Sequence, residues 1–183
     1  MLKLSNLQTD NSYLEDKIKL RLNLLPDKKE IKVIDAYSGK GTIWKNIQNR
    51  VDKKINTLKI DKEKKQNDFM LLGDNEKFLA SLDLDKFDVI DLDAYGVPYE
   101  QLKIIFDKNY KGIVFVTFIR SIMGRLPNDF LLDCGYTLGM INKCPTLFGR
   151  KGWTLFKNWL SLYGVKKINY RFHARKYYLS FQL

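Results

Sequence analysis

One histidine, two cysteines and four prolines in 183 residues leave several common chemistries little to work with. A lone His173 does not build a metal site, and no Cys/His cluster accompanies it, so no metal is expected. It reads as a hairpin residue rather than a ligand or a base. Cys134 and Cys144 form neither a C-x-x-C pair nor a disulfide framework, and both read as buried or semi-buried thiols. Carbon-5 pyrimidine chemistry would need a nucleophilic cysteine after proline or threonine, and Lys143-Cys144-Pro145 has the wrong order. No apolar run approaches the roughly 20 residues that cross a bilayer. The amino terminus, M-L-K-L-S-N-L-Q-T-D, has no secretory core, so a cytoplasmic protein without membrane attachment is expected.

Acid is also missing, but only from one end. Nine of the 32 basic residues lie after Asp133, and none of the 21 acids does. A single-sign field of this kind concentrates polyanions, which points to a nucleic-acid partner. Lysines in the first half are balanced by acids and imply no such field. Arg150, Lys151, Arg171, Arg175 and Lys176 are the candidates for phosphate contact, with Arg120 and Arg125 in T-F-I-R-S-I-M-G-R as further ones. Most of the aromatics in this tail, Trp153, Phe156, Trp159 and Phe172 among them, read as core.

What is present is an alternation of strands and helices. An amphipathic helix fits residues 12–25, stopped by Pro26. Strands are expected at 31–35, 55–60, 69–72, 87–92 and 112–118, with helices at 42–50, after Gly73-Asp74-Asn75 to Leu82, and from Pro98 to about Lys108. Helix returns at 153–163. Residues 166–183 then alternate as two strands joined by H-A-R-K, an antiparallel hairpin. The expected fold is α/β: a doubly wound, mostly parallel seven-stranded sheet with a C-terminal antiparallel hairpin. One domain is expected over 1–183, with an N-terminal helical segment (1–26) on a Rossmann-like core (27–183).

Two motifs sit where such a sheet binds ligands. In I-K-V-I-D-A-Y-S-G-K-G-T-I-W, an apolar strand ends in Asp35, and Gly39 and Gly41 turn the chain into a helix. Glycine lets backbone approach a ligand closely. A phosphate loop would need glycine where Ile34 stands, and a dinucleotide fingerprint would need a third glycine where Trp44 stands. Asp61 follows the second strand at the spacing of an acid that accepts ribose hydroxyls, with Glu63 a competitor. Asp74 or Asn75 follows the third strand and also suits a helix N-cap. The second motif, F-D-V-I-D-L-D-A-Y-G-V-P, ends a strand with Asp91 and Asp93 two residues apart and therefore on one face.

The first motif, D-x-Y-x-G-x-G, resembles motif one of Rossmann-like S-adenosylmethionine (SAM) methyltransferases, in the version common among nucleic-acid enzymes. The second, I-D-L-D-A-Y-G-V-P, resembles the I-D-L-D-P-[YF]-G-[ST]-P of tRNA guanine exocyclic-amine methyltransferases. The likeness runs over roughly residues 30–120. It implies SAM as cofactor, held by Asp35, Tyr37, Gly39, Gly41, Asp61, Asp74, Asn75 and Asp91. It further implies Asp93 as acceptor of the amine proton and Tyr95 as the wall on which the extruded base stacks. Ala94 departs from the motif: proline there would stiffen the turn and orient its carbonyl toward the amine. The reading is therefore a methyltransferase acting on an exocyclic amine of a nucleic-acid base, RNA ahead of DNA. Two alternatives stay open: a SAM- or RNA-binding module with little or no turnover, and a small-molecule or protein methyltransferase.

Overall fold

The computed structural model describes residues 13–63, 69–119, 126–143, 145–173 and 176–183. The amino-terminal half runs through α1 (Leu14–Leu22), β1 (Glu30–Asp35), α2 (Thr42–Gln48), β2 (Lys54–Asp61), β3 (Leu71–Leu72) and α3 (Asn75–Ser81). A 3-10 turn (Leu84–Lys86) leads to β4 (Val89–Leu92), α4 (Tyr99–Asp107) and β5 (Ile113–Ile119). Then come α5 (Asn128–Asp133), α6 (Leu138–Lys143), α7 (Pro145–Leu162), β6 (Asn169–His173) and β7 (Lys176–Gln182).

The strands form one sheet in the order β3-β2-β1-β4-β5-β7-β6. Pairs among β3, β2, β1, β4 and β5 are parallel, while β7 runs antiparallel to both β5 and β6. The expected seven-stranded, mostly parallel sheet with a terminal antiparallel pair is the sheet observed. No helix among the described residues is long and apolar enough to cross a membrane.

Alternation along each strand divides two cores. Ile31 and Val33 of β1, Val89 of β4, Phe115 of β5 and Tyr178 of β7 pack on α1 and α2 with Ile18, Trp44 and Ile47. Ile34, Ile90, Val114, Val116, Phe118, Leu179 and Phe181 face the other way, onto Leu79 of α3, Leu102 and Ile105 of α4, and Phe156, Trp159 and Leu160 of α7. Ile31, Val33 and Ile34 are all wholly buried, which is why β1 reads as an unbroken apolar run. Burial of each such side chain stabilises the fold by about 1.5–3 kcal/mol.

Four elements differ from expectation. β3 is only two residues long, because β2 offers it just the Ile60–Leu71 and Asp61–Leu72 rungs, and Phe69 lies outside it, 84% exposed. α7 begins at Pro145 rather than near 153. Proline suits a first helical turn, and the apolar stripe through Leu155, Phe156, Trp159 and Leu160 carries the helix past its two glycines. α5 and α6 stand where no periodic pattern is present, each only six residues long.

Candidate active site

The carboxyl ends of β1, β2 and β3 build one corner of the rim. After Asp35 the chain turns through hydrogen bonds from Ala36 N to the Asp91 carbonyl (3.0 Å), Ser38 N to the Ile60 carbonyl (3.1 Å) and Gly41 N to the Ser38 carbonyl (2.6 Å). Gly39 (φ 51°) and Gly41 (φ 65°) both adopt left-handed backbone, and Gly41 is the residue that opens α2. A Cβ on Gly39 would meet no protein atom within 4 Å, so the space over this turn is open. One on Gly41 would lie 3.3 Å from Lys59 Cε.

Asp61 fastens the turn from β2. Its Oδ2 accepts from Gly39 N at 2.7 Å and its Oδ1 from Glu63 N at 3.0 Å. A carboxylate has about four acceptor positions, so among the described residues two remain for an outside donor. Asp74 is the N-cap of α3, its Oδ1 accepting from Glu76 N at 3.1 Å. Asn75 is only 4% exposed and points inward: its Nδ2 donates to the Ala36 carbonyl (2.9 Å) and its Oδ1 accepts from Gln101 Nε2 (3.0 Å). Its side chain therefore rivets the β1 loop to α4. Burial pushes the Tyr37 hydroxyl up to about 12; the Glu76 and Asp74 charges add to this, and a hydrogen bond with Asn75 opposes it. The Ser38 hydroxyl is buried and meets no hydrogen-bond partner among the described residues.

The second corner is a buried ionic cluster under α1. Arg21 donates from Nε (2.7 Å) and Nη2 (2.6 Å) to the two oxygens of Asp91, and Trp44 Nε1 donates to the same carboxylate at 2.8 Å. Lys17 Nζ lies 2.9 and 2.8 Å from the oxygens of Asp93, whose Oδ1 also accepts from the Thr117 hydroxyl. Both cations sit over rings, Lys17 5.0 Å from Tyr178 and Arg21 5.1 Å from Phe115. The spacing explains the match. Four residues of helix rise about 6 Å, and two residues of strand about 6.7 Å, so Lys17 and Arg21 meet Asp93 and Asp91 as a ladder.

Asp35 pairs with Asp91 in register and lies on the same face. It is 5% exposed. Burial raises its pKa well above the ordinary carboxylate value, and the nearby Asp91 and Asp93 charges raise it further, against Arg21 and a bond from the Tyr37 backbone. For Asp93, burial also acts upward, but the Lys17 and Arg21 charges with the Lys17 and Thr117 hydrogen bonds prevail and lower its pKa. Among the described residues Lys17 and Arg21 are bonded to Asp93 and Asp91 rather than to Asp35, so Asp35 shares the Arg21 charge with two other acids.

The chain leaves this cluster through the turn that carries Tyr95. Ala94 N donates to the Leu92 carbonyl at 2.8 Å, Gly96 takes φ 132°, and Pro98 opens α4. The Asp93 side chain is 9% exposed, whereas Tyr95 stands 73% exposed beside it. Asp93, Tyr95 and the glycine turn share the rim, while the Asp91 carboxylate is directed under α1. His173 lies in β6, its ring stacked on Tyr13 (4.1 Å) and its Nε2 2.9 Å from Asp16 Oδ2, so it ties the hairpin to α1.

Of the phosphate candidates, Arg120, Arg125 and Arg175 lie outside the described residues, as does Cys144. Arg150 and Lys151 belong to α7, where Lys151 is exposed. Arg171 is exposed on β6, and Lys176 begins β7, half-buried. Phe172 corrects the core reading: it is 47% exposed, because β6 is the edge strand, whereas Phe156 and Trp159 are wholly buried. Sequence reasoning missed Lys17, Arg21, Trp44 and Thr117 as site residues. The signal was there, since two cations four apart in the apolar stripe of α1 demand two buried anions.

No protein-family model and no curated protein matches the sequence. Solved structures do match the fold. The chain superposes on yhhF of Escherichia coli, described as a methyltransferase, over 99% of its own length and 90% of the other's, with 10% identity and a TM-score of 0.53. For an S-adenosyl-L-methionine-dependent methyltransferase of Methanococcus maripaludis the shares are 94% and 88%, with 13% identity and a TM-score of 0.53. A precorrin-6y C5,15-methyltransferase of Geobacter metallireducens gives 99% and 93%, 11% identity and a TM-score of 0.52. The chain has the class I methyltransferase fold. At such identities the likeness carries the fold, and the substrate must be argued from the site.

Proposed function

We propose that this chain binds S-adenosylmethionine at the rim of β1, β2 and β3 and methylates an exocyclic amine of a nucleic-acid base, in RNA ahead of DNA. The observation that carries the reading is the adjacency of two corners: an open glycine turn fastened by a carboxylate, and an ionised acid beside an exposed aromatic ring. The residues present fit the cofactor. Asp61 has acceptor capacity left for ribose hydroxyls, the unpartnered Ser38 hydroxyl borders the turn, and Asp35, which burial and its acidic neighbours drive toward the neutral form, would regain its charge beside a cation. Asp74 adds an acid at the third strand tip.

When bound, the cofactor supplies a methyl group on a positively charged sulfur. The chain's own work is then positioning and proton removal. Tyr95 offers a flat wall to a base taken out of its stack. Asp93 stays ionised because Lys17 and Arg21 hold it so, and its Oδ2 carries fewer donors than Oδ1, which Thr117 shares. A methylated amine is strongly acidic, and its surplus proton passes to Asp93 Oδ2. Tyr37, Gly39, Gly41 and Asn75 shape the turn, and Asp91 anchors α1 beneath it.

The test separates binding from transfer. Asp61→Ala is expected to weaken SAM binding about tenfold or more by calorimetry, the worth of charge-assisted hydrogen bonds. Asp93→Asn is expected to keep that affinity and abolish tritiated methyl transfer to bulk RNA. Equal loss of binding in both variants contradicts the division of labour. A second reading, a module that binds without turnover, is favoured by Lys17 occupying both oxygens of Asp93 and by Ala94. SAM heat without transfer to tRNA, rRNA or DNA would select it.

A further inference from the structure

The far edge of the sheet carries a second surface that the rim chemistry does not use. β6 is an edge strand, and its Tyr170 and Phe172 are 50% and 47% exposed. Both lie on the α7 side of the sheet, where they end a run of rings that starts in the core. Phe118 stacks on Phe156 (4.5 Å), and Trp153 stacks on Tyr177 at 4.0 Å with planes 8° apart. Tyr170 then sits 5.2 Å from Trp153, and Phe172 4.5 Å from Tyr177. Helix α7 covers β5 and β7 but leaves β6 open, so the run ends in two rings that meet solvent.

Two exposed cations lie near this edge, one on each face of the sheet. Lys157 Nζ stands 5.6 Å over Trp153, and Arg171, between Tyr170 and Phe172, is exposed on the opposite face of β6. The sequence after Asp133 contains no acid, although Asp16 of α1 reaches this strand at His173. Edge strands usually guard themselves with charge, short length or a covering segment. Half-open aromatics beside exposed cations are instead the composition of a platform for unpaired bases, in which rings take the bases and cations the phosphates.

Register places this platform relative to the site. The Asp93 carboxylate is bonded by Thr117, which pairs with Tyr178, which pairs with Arg171. Phe118, Tyr177 and Phe172 form the next rung toward the rim. From β4 to β6 there are three strand spacings, about 14 Å. We infer that the β6 edge, through Tyr170, Phe172, Arg171 and Lys157, binds the unpaired RNA nucleotides flanking the base presented at Asp93 and Tyr95. The inference rests on the proposed methyltransferase reading for what lies at the other end of the strand, but the binding itself does not.

The test is fluorescence anisotropy with a labelled, unstructured RNA oligonucleotide, run beside SAM calorimetry on the same proteins. Tyr170→Ala and Phe172→Ala are each expected to weaken RNA binding about tenfold, the usual worth of one stacked base. SAM affinity and near-ultraviolet circular dichroism should not change. Arg171→Gln, which removes no ring, is expected to reduce the salt-dependence slope by about 0.7. Unchanged RNA affinity in the double ring variant overturns the inference, as does tighter binding of a duplex or of the same sequence in single-stranded DNA. Self-association that disappears in the ring variants would assign the edge to a second copy of the chain and also overturn it. RNA binding without any SAM heat would leave the edge standing and sink the methyltransferase reading instead.

Discussion

Beneath α1, Lys17 and Arg21 are 5% and 1% exposed and each is bonded to a carboxylate, whereas Arg171 and Lys157 at the β6 edge stand in solvent within a stretch that contains no acid. The same kind of residue does opposite work in the two places. A buried cation must be matched, and once matched it fixes geometry: α1 is pinned in register against β4 by two ion pairs and a ladder of spacings. An exposed cation fixes nothing in the fold, and its field extends outward to whatever polyanion approaches. The α1 cluster is thus a device for holding acids in place, and the β6 edge, on our proposal, a device for attracting a partner.

The comparison breaks most visibly at Arg21. Arg21→Met leaves Asp91 buried with only Trp44 to bond it and is expected to cost about 3–5 kcal/mol in urea unfolding. Arg171→Met is expected to stay within about 0.5 kcal/mol. Joining Arg21→Met to Asp91→Leu should recover most of the loss, because removing both charges removes the orphan. Equal costs at positions 21 and 171 would mean that the cluster carries no structural weight.

This contrast also marks what the sequence disclosed. The Gly39–Gly41 turn, Asp61 and the Asp91–Pro98 segment were legible because each is local: strand, acid, turn and helix follow within a dozen residues. The partners of those acids were not, since Lys17 lies 76 positions from Asp93 and Arg21 lies 70 from Asp91. Their i, i+4 spacing put them on one face of α1, and only their burial in the structure showed that anions must meet them. Alternation likewise put Tyr170 and Phe172 on one face, and only the reach of α7 decided that this face runs out of cover. Six-residue helices such as α5 and α6 are too short for a period to declare itself.

A subtler effect belongs to Asp35, which shares Arg21 with Asp91 and Asp93. Its folded-state pKa is raised by burial and by Asp91 and Asp93, while in the unfolded chain it titrates near 3.9. Between those two values the folded state holds a proton that the unfolded state has lost, so stability falls as pH rises through that window. Asp35→Asn removes this penalty. The variant should match the parent below about pH 4 and become progressively more stable above it in urea titrations at several pH values, while binding SAM more weakly. If the parent instead gained stability from Asp35 as pH rose, the carboxyl would have to be paired, and the charge argument for a cationic ligand would fail.

The smallest effect on the fold belongs to Tyr95, and it sharpens the comparison because it lies between the two regions. At 73% exposure the ring contributes little to packing, so Tyr95→Ala is expected to shift stability by no more than about 0.5 kcal/mol. Methyl transfer to RNA should nevertheless fall about tenfold, by analogy with the loss of one stacking surface. Tyr95→Phe keeps the flat face and should transfer normally, since the wall needs a ring and not a hydroxyl. Exposure of an aromatic beside a buried, ionised acid has no use in holding the sheet together. The use we propose for it is toward a ligand, and a Tyr95→Ala protein with undiminished transfer would mean that the base meets some other surface.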